Sequence, residues 1–275
     1  AEGVLIGFAG YKAGMSHAMI VDNRPNSMTK GEVIAVPVTV VECPPLKVAS
    51  VRLYKETPYG LRIAAEASAA TDAELEKIEG IADVRVQVCT QPKLTGIGKK
   101  KPELFELAVG GKTAQEKLAK AKELLGKEVS VKDVFKAGQH VDVLAVTKGK
   151  GFQGPVKRFG ISLRQHKSEK TKRGPGSLGA WTGARTWTVA HAGQTGYHRR
   201  YEKNKLILKI GEQADMRFAG GIMHYGDIRS QYVLLKGSIP GPNKRLVTLV
   251  AASKSIKQLL LEAPTIESVS GAVKA

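Results

Sequence analysis

The sequence VIAVPVTVVEC at residues 33–43 is the stretch that decides the fold. Val, Ile and Thr pack well on a pleated surface, and the alternation of this run is typical of a β-strand. Pro37 has no backbone N–H to give to a sheet, so we expect it at an edge position or at a bulge.

Similar short runs lie on both sides of this stretch and predict a mainly β fold. A glycine-rich turn, AGYKAG, is expected between the first two runs, and TPYG is expected to join a hairpin. The predicted strands are VLIGF (4–8), HAMIVD (17–22), LKVASVRLYKE (46–56), LRIAAEAS (61–68), ADVRVQVCTQ (82–91), LFELAVG (104–110), QHVDVLAVT (139–147), KLILKI (205–210), YVLLKG (232–237) and KRLVTLVA (244–251).

Helical patterns are confined to the middle of the chain. TDAELEKIEG predicts a short helix over 71–80, and TAQEKLAKAKELLG predicts a longer one over 113–126. The longer one opens with Thr113 and Glu116, the spacing of a capping box. We therefore expect an inserted α+β lobe at 69–135, flanked by β structure at 1–68 and 136–252, and a C-terminal tail at 253–275.

The charge of the chain is unevenly distributed. The formal net charge is +18, and residues 147–205 hold 14 Lys or Arg against two acidic residues, which is +12 of that total. A like-charged chain repels itself, so such an excess favours a polyanionic partner. Nucleic acid is the first candidate and an anionic membrane surface the second, although no stretch approaches the ~20 apolar residues of a membrane-spanning helix.

The same segment lacks the apolar periodicity of a core, and we expect a long loop without secondary structure that binds RNA. Cations neutralise phosphates, and aromatic rings stack on the unpaired bases that RNA offers in loops and bulges. The predicted RNA-binding residues are Lys148, Lys150, Phe152, Lys157, Arg158, Arg164, His166, Lys167, Lys170, Lys172, Arg173, Trp181, Arg185, Trp187, His191, Gln194, Tyr197, His198, Arg199 and Arg200.

No arrangement of residues predicts catalysis, a cofactor or a metal site. GKGFQG at 149–154 matches a dinucleotide-binding pattern, but Pro155, Val156 and Gly160 argue against the helix that this pattern requires. The histidines show no metal-ligand spacing, and GPGSLG around Ser177 lacks the first glycine of a nucleophile elbow. Cys43 and Cys89 end two β-rich runs and are expected to be buried, reduced thiols.

Several blocks of the sequence resemble the universal large-subunit ribosomal protein three family. They are FAGYKAGM (8–15), AVTKGKGFQGPVKRFG (145–160), GSLGAW (176–181), AGQTGYHRR (192–200) and VLLKGSIPGPNKRLVTL (233–249), and the GYHRR block is similar to the archaeal and eukaryotic branch, with archaea favoured.

This resemblance implies a six-stranded translation-type β-barrel, an inserted α+β lobe and a basic finger over about 147–205. It further implies that the finger runs through rRNA toward the peptidyl transferase centre with Trp181 at its tip. The partners would be large-subunit rRNA and neighbouring ribosomal proteins, in the cytoplasm, with no membrane and no small-molecule substrate. A non-ribosomal architectural RNA-binding protein stays the alternative, because the same electrostatics would serve it.

Overall fold

The fold is known from a computed structural model, which describes residues 5–68, 80–168, 170–180, 183–184, 188–215, 217–218, 220–253 and 262–273. The helix predicted over 71–80 lies outside these residues except for its last position. The described residues form β1 (Gly7–Val21), β2 (Val33–Glu42), β3 (Leu46–Thr57), β4 (Gly60–Ser68), β5 (Ile81–Cys89), β6 (Leu104–Ala108), α1 (Ala114–Leu124), β7 (Glu128–Val129), α2 (Val131–Val134), β8 (His140–Val146), β9 (Gly151–Gln153), α3 (Pro155–Phe159), β10 (Gly193–Thr195), β11 (Arg199–Gly211), β12 (Arg217–Phe218), β13 (Tyr232–Lys236), β14 (Leu246–Ala251), β15 (Ile266–Val269) and β16 (Ala272–Val273), with 3-10 turns at Pro92–Leu94 and Gln213–Asp215.

The protein is mainly β, as the sequence predicts. The larger sheet has the strand order β14-β8-β11-β13-β2-β1-β15, and β14 also pairs with β1. A second sheet has the order β4-β3-β5-β6, with β7 paired to β3. The remaining pairs are β9 with β10 and β12 with β16. The residues predicted as a C-terminal tail thus contain β15 and β16, which pair with β1 and β12.

The predicted turn at AGYKAG is wrong, because β1 runs through it as one strand of 15 residues. Its register with β2 shifts only between Lys12 and Gly14, which marks a bulge. Gly10 is needed here for close packing: a Cβ on it would lie 2.6 Å from Cys43 Sγ and 2.6 Å from the carbonyl oxygen of Glu42. Glycine within a strand indicates a close approach of backbone as readily as it indicates a turn.

The expectation that Pro37 lies at an edge or a bulge is also wrong. Pro37 pairs with His17 in β2, which lies between β1 and β13. The pairing of β1 with β2 is regular at this position. It comes one residue beyond the last β13 pair, Val38 with Lys236. There Gly237 N–H donates to the Pro37 carbonyl. The Gly237 carbonyl accepts from the Thr39 hydroxyl at 2.7 Å, which supplies the hydrogen bond that proline cannot donate.

The hairpin predicted at 46–68 is present as β3 and β4, with Thr57 opposite Gly60. It belongs to the second sheet, where β3 also pairs with β5 and β7. The longer predicted helix is present as α1. Its N-cap Thr113 accepts from Glu116 N–H, while the Glu116 carboxylate accepts from Lys112 N–H. The hydroxyl half of the capping box is therefore confirmed.

Two apolar clusters stabilise the strands. In β13 the side chains of Val233 and Leu235 join one cluster, and Tyr232 and Leu234 join the other, as expected for a strand with both faces buried. Cys43 is buried, as predicted, whereas the prediction that Cys89 is buried is wrong, because it is half-buried; both are free thiols. Among the described helices, none is both long and apolar enough to cross a membrane.

The chain divides into two compact units. The first, here called the sheet unit, consists of Ala1–Ala145 and Tyr201–Ala275. The second, here called the basic unit, is Val146–Arg200. All of the buried hydrophobic residues found in the described chain belong to the sheet unit.

Candidate nucleic-acid interface

The ends of the basic unit are held together by backbone hydrogen bonds between residues about 50 positions apart. Thr147 N–H donates to the His198 carbonyl at 2.9 Å, and His198 N–H donates to the Thr147 hydroxyl at 3.2 Å. Lys150 N–H donates to the Thr195 carbonyl at 2.9 Å. β9 then pairs with β10, with Phe152 opposite Gln194. The predicted loop without secondary structure is therefore wrong at its base, which is a short two-stranded ladder.

Gly196 lets the two chains of this ladder meet. Its φ is +72°, and a Cβ on it would lie 2.1 Å from the Lys148 carbonyl oxygen. Tyr197 follows with a φ of +57°, and its side chain lies 3.6 Å from where a Cβ on Gly149 would be. The backbones of GKG (149–151) and TGY (195–197) thus lie close together. The side chains of Lys148, Lys150 and Tyr197 next to this contact are exposed.

The expectation that no helix follows GKGFQG is wrong. α3 begins at Pro155, and proline is well suited to the first helical position, where no N–H is required. It ends at Gly160, whose φ is +70°. The helix has only five residues.

Arg158 connects α3 to the chain at the start of β10. Its guanidinium donates to the His191 carbonyl at 2.9 Å and packs against Gly193, where a Cβ would lie 2.7 Å from Nη1. The guanidinium carbon is also 5.0 Å from the centre of the Phe159 ring. Arg158 therefore has a structural role within the unit in addition to its charge.

Beyond α3, Arg164 forms hydrogen bonds across a short stretch of the chain. Arg164 N–H donates to the Lys172 carbonyl at 3.1 Å, and its guanidinium donates to the Pro175 carbonyl at 3.0 Å. These two bonds close a small basic loop. Lys170 within it adopts a φ of +59°, a conformation that non-glycine residues seldom take.

The predicted RNA-binding side chains that the structure describes are exposed, with the exception of His198. Phe152 is 75% exposed and Tyr197 is 67% exposed, although large aromatic rings are normally buried. His198 is half-buried. The exposed members of the predicted set are Lys148, Lys150, Phe152, Lys157, Arg158, Arg164, His166, Lys167, Lys170, Lys172, Arg173, His191, Gln194, Tyr197, Arg199 and Arg200.

Three predicted residues, Trp181, Arg185 and Trp187, lie outside the described residues. Sequence reasoning in turn missed Thr147, Thr195 and Gly196, which hold the ladder together. Their partners are about 50 residues away, so no local pattern reveals them. The T-G-Y step before His198 is the one signal that could have indicated a tight turn.

The arrangement of exposed cations can bind an anion. The described residues contain no group of three His, Cys, Asp or Glu side chains able to hold a metal ion. The basic unit presents cations and aromatic faces with hardly any acid among them. This combination suits the backbone and the unpaired bases of a nucleic acid.

Comparison with known proteins identifies the family of this chain. The family model described as ribosomal protein L3 matches residues 2–72 and 63–271. Curated relatives named large ribosomal subunit protein uL3 are similar over most of the chain. The protein of Methanothermobacter thermautotrophicus is 47% identical, covering 98% of this chain and 88% of the relative. That of Methanopyrus kandleri is 45% identical, covering 96% and 81%. That of Archaeoglobus fulgidus is 48% identical, covering 88% and 80%. The chain belongs to the ribosomal protein L3 family.

Proposed function

We propose that this chain is a structural constituent of the large ribosomal subunit that binds large-subunit rRNA and has no catalytic role. The observation that carries the proposal is the composition of the basic unit. Among its described residues, the cations and aromatic rings are exposed, and none is a buried apolar residue. Such a segment cannot offset the entropy of its own ordering, so its shape needs an RNA partner.

The finer features that the family resemblance implies are part of this proposal. The additional pairing of β14 with β1 supports a closed six-stranded barrel made of β1, β2, β13, β11, β8 and β14. The second sheet and α1 support an inserted α+β lobe, and we assign the hairpin at 46–68 to that lobe because β3 and β4 pair there. The finger over 147–205 would point toward the peptidyl transferase centre, with Trp181 at its tip.

The proposal includes a ribosome-bound, cytoplasmic location and contacts with neighbouring large-subunit proteins. Co-sedimentation with large subunits at high salt would separate it from a non-ribosomal architectural RNA-binding protein. Such a protein would leave the subunit fraction when salt screens its phosphate contacts.

The salt dependence of rRNA binding tests the role of the basic segment, residues 147–205. If about eight of its 14 cations reach phosphates, log K should fall against log salt with a slope of about −6 to −7. Replacing Lys148, Lys150, Lys157 and Arg158 with Ala should flatten that slope by about 3.

The matched control replaces four exposed lysines of the sheet unit, Lys47, Lys55, Lys112 and Lys127, with Ala. This control should leave the slope within about 1 of the parent value. An equal flattening in both variants would mean that binding follows net charge and not the basic segment.

A further inference from the structure

The sheet unit contains a cavity of about 760 Å³ that the basic unit does not share. It lies beside the ends of β1 and β13, and the loop that joins β1 to β2 forms one wall. Binding sites for ligands of nucleotide size typically enclose ~300–1,000 Å³. The cavity is therefore large enough for one nucleotide.

The loop that forms this wall is held in one conformation by Asp22. The two carboxylate oxygens of Asp22 accept from the Arg24 guanidinium at 2.8 and 2.7 Å, and one also accepts from the Thr29 hydroxyl at 2.7 Å. Backbone bonds from Asp22 to Glu32 and from Gly31 to Asp22 close the loop. A site that is already ordered loses less entropy when a ligand binds.

Two of the three cationic side chains that line the cavity form ion pairs with acids, and Lys236 is the one without such a pair among the described residues. Asp22 is engaged by Arg24, and Lys205 is paired with Glu202 at 3.0 Å. Lys236 is half-buried and has no side-chain hydrogen bond or ion pair with any residue that the structure describes. Burial lowers the pKa of Lys236 and the positive charge of Arg24 lowers it further, while the negative charge of Asp22 opposes these two effects in part.

A neighbouring histidine is affected by the same charge. Burial lowers the pKa of His140, and the charge of Lys236 adds to that effect. A half-buried ammonium that lines the same cavity as an arginine and a histidine is costly in the free protein, and an anion bound there would stabilise its charged form.

The cavity is also lined by apolar side chains, next to the polar residues Asn23, Asn26, Ser27 and Asn204. Ile20, Leu206, Pro25 and Pro264 line it, and Met28 stands at its edge with its side chain fully exposed. Apolar walls suit the faces of a base or a ribose, and an exposed, flexible methionine is suited to packing on a partner. Anionic and apolar features in one ligand are the chemistry of a nucleotide.

We propose that this cavity binds one unpaired nucleotide of large-subunit rRNA, with the phosphate at Lys236 and Arg24 and the base against Ile20 and Leu206. The inference rests on the proposed function, because the rRNA is what brings the nucleotide to the protein. RNA is favoured over an acidic peptide because unstacked bases in RNA loops can enter a pocket.

The test places a photo-crosslinker, p-benzoylphenylalanine, at Met28 in the full chain bound to complete large-subunit rRNA. Crosslinks should map to one unpaired rRNA position. Lys236→Met should weaken that crosslink several-fold and flatten the salt slope of binding by about 1. Lys47→Met, at an exposed strand position, should change neither.

The unfolding temperature of Lys236→Met shows whether the variant still folds as the parent does. Lys236→Met keeps an apolar side chain of similar length and removes a half-buried charge that forms no ion pair with a described residue, so the variant should unfold at the parent temperature or above it. A lower unfolding temperature would show that Lys236 stabilises the fold, and the inference would then be wrong.

The remaining outcomes separate this inference from the proposed function. Failure of the parent chain to bind rRNA would overturn both. Normal rRNA binding without a crosslink from position 28, or with a crosslink to a neighbouring protein, would overturn this inference alone. Binding of free AMP or inorganic phosphate by the isolated chain, abolished by Lys236→Met and unaffected by rRNA, would mean a small-molecule site instead.

Discussion

Single buried polar residues fix the loops around the strands. Glu42, at the end of β2, is fully buried, and its carboxylate accepts hydrogen bonds from four groups. They are Arg229 N–H at 2.6 Å, Ser230 N–H at 2.9 Å, the Ser230 hydroxyl at 3.0 Å and the Tyr225 hydroxyl. Burial raises the pKa of Tyr225, and the Glu42 charge raises it further, so Tyr225 stays a donor.

Replacing Glu42 with Ala should therefore destabilise the protein strongly. The change leaves buried donors without an acceptor, at about 1–3 kcal/mol for each group that water cannot reach. We expect a loss of about 3 kcal/mol or more in the free energy of unfolding, measured by urea denaturation. Glu56→Ala, at an exposed strand position, should lie within about 0.5 kcal/mol of the parent. Similar losses in both variants would contradict the assigned role of Glu42.

At the scale of elements, the ladder at the base of the basic unit depends on Gly196. Gly196→Ala should open it, because a Cβ would overlap the Lys148 carbonyl and φ would remain at +72°. A strained backbone of this kind costs about 1–3 kcal/mol. The amide protons of Thr147 and Lys150, which donate across the ladder, should lose protection in hydrogen exchange at least 5-fold.

Gly154→Ala is the matched control for this variant. Gly154 has a φ of −71°, and nothing lies within 4 Å of the position of a Cβ. The control should leave the exchange of both amides unchanged. Unchanged exchange in Gly196→Ala would show that the ladder tolerates a side chain there and that the close approach is not required.

Sequence patterns predicted those elements whose causes are local. α1 was predictable because its cap and apolar stripe lie within one helix, and the β3–β4 hairpin because its turn residues adjoin both strands. β9 and β10 have three residues each and pair across about 40 positions, so no periodicity marks them. The sequence did not predict α3, because proline disrupts the interior of a helix. Pro155 occupies the first helical position instead, where proline is favoured.

The candidate site was predictable in composition but not in shape. Charge and aromatic content alone identified the segment and its exposed side chains. The structural role of Arg158 could not be predicted, because His191 and Gly193 are distant in sequence. The cavity around Lys236 was missed for a similar reason: it is formed by segments that begin near residue 20 and end near residue 264.

At the scale of the whole molecule, apolar burial and positive charge are separated along the chain. The sheet unit holds the buried hydrophobic residues of the described chain, and residues 147–205 hold two-thirds of the net charge. Segments with few buried apolar contacts open locally at low free-energy cost, whereas core strands open only with global unfolding. The two units should therefore respond very differently to a protease that cuts after Lys and Arg.

In limited digestion of the RNA-free protein, trypsin should cut within Val146–Arg200 first and leave the sheet unit as two associated fragments. Time courses followed by mass spectrometry should show initial cleavage in this unit at least 10-fold faster than at exposed lysines of β3 such as Lys47 and Lys55. Bound large-subunit rRNA should suppress the early cuts, because its phosphates cover the same cations, and nuclease treatment should restore them. Equal rates in both units of the free protein would show that the basic unit is ordered without RNA and that its shape needs no polyanion.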